Sequence, residues 1–152
     1  GAVALLLLSA VALVDVIRLA LDGPAALGLV NFLAVWMIAG LLGVHLGKGL
    51  SRGRAAALVF GGLGVNGALV VFGPYPMSLV GMPGAEVSNM DPPTLVLVVH
   101  TCILFGAISL LRPLLERLVR ISLVWRGTVA VNMLMMTIYL WHLPVLTALT
   151  FL

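Results

Sequence analysis

The chain has 152 residues, of which 62% are hydrophobic and 9% charged, and its mean hydropathy is +1.25. Soluble globular domains carry about 45–50% apolar and about 25% charged residues, so the composition excludes a water-soluble enzyme or binding module and marks an integral membrane protein. The net charge of +3 comes from eight basic residues that are too scattered to follow a phosphate backbone, which excludes a nucleic-acid binder.

The first apolar run, Ala2 to Leu21, has no basic segment ahead of it and is not a signal peptide. Preceded by Gly1 rather than Met, it reads as a span of a longer protein. Asp15 and Arg18 stand three apart near its end, a spacing that places them on one helical face. They form either a structural ion pair or part of a substrate path. The second run, Leu29 to Gly47, carries His45 near its end. The segment "GKGLSRGR" follows, with Lys48, Arg52 and Arg54.

The third run, Ala55 to Gly73, contains Gly62, Gly64 and Gly67 in a G-x-G-x-x-G spacing. No strand-turn-helix unit surrounds it, so it is not a dinucleotide fingerprint. Small residues four apart, Ala57 with Gly61 and Gly64 with Ala68, predict close helix packing, and Asn66 is expected to hydrogen-bond to another helix. Next come Phe72 to Pro93, rich in Gly-Pro, Pro-Gly and Pro-Pro turns. Met77, Leu79, Val80 and Met82 are expected to pack down on the bundle, leaving Glu86, Ser88, Asn89 and Asp91 at a cavity mouth. This connection reads as a structured cap or partly re-entrant loop.

The fourth run, Thr94 to Leu111, holds His100 and Cys102, the latter a small packing residue. Leu114 to Val124 then predicts a short interfacial helix flanked by Arg112, Arg117, Arg120 and Arg126. In the fifth run, Thr128 to Phe151, the residues Thr128, Asn132, Tyr139 and His142 share a sector of about 80°. Such a polar stripe should face other helices or a cavity, with Pro144 bending the helix beside it.

Every run is long enough to cross about 30 Å of hydrocarbon. The expected fold is therefore all-α: residues 1–152 form one transmembrane domain of about five spans, with a structured outer loop between the third and fourth. Seven of the eight basic residues fall in two connections on one side, which makes that side and the N-terminus cytoplasmic. Each histidine is a packing residue or an acid/base. No His/Cys/Asp/Glu cluster has metal-ligand spacing, and no nucleophile motif appears.

Two segments, "PYPMSLVGMPGAEVSNMDPPTLVL" and "NMLMMTIYLWHLPVL", resemble the membrane acyltransferases of the acyltransferase 3 family, especially the actinobacterial type. The resemblance covers residues 29–152 and falls on the C-terminal half of the family domain. It implies an enzyme of a bacterial cytoplasmic membrane that moves an acyl group from cytoplasmic acyl-CoA to a hydroxyl of a sugar or other envelope acceptor. The family's N-terminal segment, with its catalytic histidine, is absent from this chain and would be a missing partner. On this resemblance, Tyr75, Glu86, Asn89, Asp91, Asn132 and Tyr139 would bind the acceptor. Arg52, Arg54, Arg117 and Arg120 would hold the CoA phosphates, with acyl-CoA a co-substrate rather than a resident cofactor. His142 is the one catalytic candidate, as acid/base or, preferably, as hydrogen-bond donor. A transporter bundle or a non-catalytic membrane partner are the alternatives.

Overall fold

The structure, a computed structural model, describes residues 2–46, 49–81 and 88–150, except for the side chains of His45 and Leu46. Its described residues form five long helices and no strand. Helix α1 spans Ala2–Asp15 and runs on as a π-helical turn, Val16–Ala20; a 3₁₀ turn, Ala25–Leu27, leads into α2, Gly28–Leu46. Helix α3 covers Arg52–Phe72, α4 Leu95–Leu118 and α5 Ser122–Thr150. All five are long and apolar enough to cross a membrane, where a helix satisfies its own backbone groups.

The chain divides into two compact units, Gly1–Leu110 and Leu111–Leu152. In the first, Val11 of α1, Ala34, Val35 and Ile38 of α2, and Val98 of α4 form the apolar core, with Leu7, Leu8 and Leu42 packed against it. Beside it lies an apolar recess of about 280 Å³ lined by Val3, Leu8, Ile38, Leu42, Val98 and Cys102. Cys102 is thus a packing residue, half-buried and reduced.

Helices α3 and α4 approach each other through glycine. A Cβ on Gly106 would lie 2.7 Å from the Ala55 carbonyl oxygen, and one on Gly62 would lie 2.6 Å from Ile103. At Gly61 and Gly64, one from each small pair singled out in the sequence, an added Cβ would meet nothing within 4 Å. Within this unit the close contact therefore uses the next residue around the helix, and the Gly61 and Gly64 face is open. The turn after α1 also requires glycine: Asp22 has φ 50°, and Gly23 donates its N–H to the Ile17 carbonyl at 2.9 Å. A Cβ there would stand 2.7 Å from that same oxygen.

Three boundaries differ from expectation: the start of α3, the end of α4 and the start of α5. Helix α3 starts at Arg52, three residues ahead of the apolar run, because Ser51 caps it by accepting from the Arg54 amide at 3.4 Å. No separate interfacial helix forms over Leu114 to Val124. Instead α4 continues through Pro113 to Leu118, the break falls at Val119 to Ile121, and α5 begins at Ser122. Pro113 removes one backbone donor, while an Arg112–Glu116 ion pair at 2.8 Å braces the helix across it.

The Gly106 contact gives a direct test. Gly106→Leu should force α3 and α4 apart and cost about 1–3 kcal/mol, lowering the thermal midpoint followed by circular dichroism in detergent. Gly64→Ala, on the open face, should hold or raise that midpoint, since Ala is favoured over Gly in a helix by about 1 kcal/mol.

Candidate functional site

The densest polar constellation of the first unit lies where the C-terminal end of α1, the first turn of α2, the residues after α3 and the start of α4 meet. At its centre is Asp15, 1% exposed. Its Oδ1 accepts from Asn31 Nδ2 at 2.6 Å, and its Oδ2 accepts from the Leu95 backbone N–H at 2.7 Å and from the Tyr75 hydroxyl at 3.1 Å. Asn31, 0% exposed, also donates to the Pro93 carbonyl at 3.0 Å. Asp15 thus closes the N-terminus of α4 from 80 residues away in sequence, a carboxylate at the positive end of a helix dipole.

The ion pair expected between Asp15 and Arg18 does not form. No Arg18 guanidinium nitrogen lies within 4.0 Å of an Asp15 carboxylate oxygen, and the carboxylate is taken up by three uncharged donors. Two causes are visible. The π-helical turn is wider than an α-turn, so the i,i+3 spacing no longer stacks the two side chains. The α4 amide meanwhile competes for the same oxygen.

A second constellation shapes the 73–94 connection. Asn89, 0% exposed, donates from Nδ2 to the carbonyls of Pro76 at 2.6 Å and Ser78 at 2.9 Å. Its Oδ1 accepts from Thr94 Oγ1 at 2.9 Å, and its carbonyl accepts the Thr94 N–H at 3.0 Å. Asn89 is therefore not at a cavity mouth. Its amide is consumed in replacing the backbone partners that a Pro-rich loop lacks. Ser88 is half-buried and makes local bonds, accepting from the Met90 N–H at 3.1 Å and donating to the Leu79 carbonyl at 3.4 Å. Met77 and Val80 do not pack down: they are 91% and 61% exposed, while Leu79 is half-buried. Among the described residues of this connection, Asn89 is drawn inside while Met77 and Val80 face outward.

Asp91 is exposed, and its peptide bond to Pro92 is cis. Glu86 and Met82 lie outside the described residues. Asn66, expected to bond to another helix, has a buried Oδ1 with no partner among the described residues. His100 is half-buried on α4. Arg52 and Arg54, at the start of α3, and Arg117 and Arg120, in the second unit, are all exposed.

Asn132, Tyr139 and His142 belong to α5 in the second unit, which buries none of its residues. Tyr139 and His142 stack with ring centroids 5.3 Å apart, and His142 Nδ1 bonds to the Tyr139 carbonyl. Thr128, expected in the same interior stripe, returns its hydroxyl to the Val124 carbonyl at 2.9 Å. Hydroxyls bonding back one turn hide their polarity from lipid without an interhelical partner. Among the described residues no cluster could hold a metal ion.

Asn31 was not singled out in the sequence. The signal was present: it is the one amide side chain in an otherwise apolar second run. Its partner, 16 residues away, was not visible without the fold. No protein-family model, no curated protein and no solved structure matches the chain.

Asp15→Ala should cost at least about 3 kcal/mol, because it leaves the Leu95 N–H and the Tyr75 hydroxyl without their acceptor. Tyr75→Phe, which removes one donor of three, should cost about 1 kcal/mol. Both are read as thermal midpoints in detergent. Burial first, and then the neighbouring Asp15 carboxylate, push the Tyr75 hydroxyl well above its usual range. A raised folded-state pKa means that this contribution is complete below the unfolded value of about 10 and is lost as pH rises beyond it. With Tyr139→Phe removing the other of the two tyrosines, absorbance at 295 nm should show tyrosinate only when the protein unfolds.

Proposed function

We propose that this chain supplies part of an integral membrane O-acyltransferase, one that moves an acyl group from cytoplasmic acyl-CoA to a hydroxyl of a sugar or other envelope acceptor. In this reading the N-terminus and the Arg-bearing connections face the cytoplasm of a bacterial cell, and the 73–94 loop faces outward. The observation that carries it is the construction of that loop. The residues through which the sequence resembles the family, Tyr75, Asn89 and Thr94, are the ones that tie the loop to itself and to the ends of α1 and α4. A clamped cap suits an acceptor site that must hold a hydroxyl in register with a thioester.

The transfer itself breaks the thioester C–S bond and forms an ester C–O bond. The acceptor's proton leaves to a base, and CoA departs as the thiol. His142, whose Nδ1 bonds to the Tyr139 carbonyl, is the candidate group, as hydrogen-bond donor or as that base. Arg52, Arg54, Arg117 and Arg120 remain the groups for the CoA phosphates, with a further N-terminal segment as partner.

The test uses membranes from the native host with labelled acyl-CoA. Label should appear in ester linkage on an envelope hydroxyl and vanish when the gene is deleted. His142→Ala should lower the rate by about 10²-fold or more while leaving protein levels unchanged. Label that persists in the deletion strain, or unmodified solute moved across the membrane in place of ester formation, would overturn the reading.

A further inference from the structure

Arg18 stands in the last turns of the first candidate span, Ala2–Ala20, where a helix leaves the hydrocarbon and meets the headgroup layer. Its guanidinium is held by packing rather than by charge. The guanidinium carbon is 3.6 Å from the point where a Cβ on Gly28 would sit, and the Pro92 ring covers the same glycine. Nη1 is enclosed and has no hydrogen-bond acceptor among the described residues. An enclosed, charged N–H group without an acceptor is costly.

The carboxylates nearest in sequence do not meet this need. Asp15 attracts Arg18 from a distance but gives its oxygens to Asn31, Tyr75 and Leu95. Asp22, exposed in the turn beyond, makes no ion pair with it either. An arginine that merely snorkels to the interface keeps its donors in water, whereas Arg18 is half-buried with Nη1 enclosed. It also lies within the π-helical turn Val16–Ala20. Such turns are frequent at functional sites.

We propose that Arg18 anchors a binding site for a phosphate oxyanion at this end of the first unit, with Gly28 and Pro92 forming its floor. The site is independent of the acyl-transfer reading. A guanidinium fork matches two oxygens of a phosphate in a way that a lysine ammonium does not. The phosphate belongs either to a phospholipid headgroup or to a soluble phosphorylated compound, and the chemistry at the fork is the same.

Native mass spectrometry of the purified protein separates these sources. Phosphatidylglycerol and inorganic phosphate are the probes, tested on the wild type, Arg18→Gln and Arg18→Lys. Wild type should retain one phosphatidylglycerol and gain thermal stability from it; Arg18→Gln should bind at least about tenfold more weakly and gain none. Arg18→Lys, which keeps the charge and loses the fork, should fall between them, and it carries the test if Arg18→Gln does not fold. Retention that excess inorganic phosphate does not displace assigns the site to lipid. Saturable binding of inorganic phosphate, weakened in Arg18→Lys, assigns it to a soluble ligand. Equal binding of both probes by the wild type and a folded Arg18 variant would overturn the proposal.

Discussion

The hydrogen bond from the Leu95 amide to Asp15 joins the first transmembrane helix to the start of the fourth, and the arrangement around it depends on that link. A helix that begins next to lipid leaves several amide hydrogens without partners, and hydrocarbon offers none. A carboxylate from a distant helix answers that need with charge as well as an acceptor. Once Asp15 is committed there, Asn31 and Tyr75 are drawn to its remaining lone pairs. Arg18, three residues on, is then left without the counterion that its sequence position seemed to promise.

The 73–94 connection follows the same physics with the sides exchanged. In water a loop turns its polar groups out and its apolar groups in. Here Asn89 faces inward to satisfy backbone groups, while Met77 and Val80 face outward. The buried Asn89 amide ties the residues after α3 to the start of α4 through Pro76, Ser78 and Thr94, and a preorganised backbone of this kind is what a binding surface at a helix end requires.

The spans were legible because about 20 apolar residues in a row leave few alternatives; the boundaries missed were the start of α3, set by the Ser51 cap, the end of α4, braced across Pro113 by Arg112–Glu116, and the start of α5 at Ser122 rather than Thr128. The Asp15 site was half legible. A carboxylate in a hydrocarbon run announces itself, but its partners are one amide from α2, one hydroxyl after α3 and one backbone N–H of α4. None of these is fixed by spacing along the chain. The Asp15–Arg18 expectation failed because i,i+3 geometry presumes an α-turn, and this helix widens to a π-turn at that point. For Asn89 the residue type was read correctly as a hydrogen-bonding group, and its direction was not, because composition does not show which side of a loop lacks donors.

The distance in sequence between Asp15 and Leu95 also bears on how the protein is made. Asp15 emerges from the ribosome and reaches the membrane 80 residues before the amide that will cap it, and Asn31 arrives in between. During that interval the first span carries a carboxylate with an incomplete set of partners. The carboxylate has its full set of donors only once the start of the fourth helix has been made, so closure of this site comes after synthesis of the first three spans.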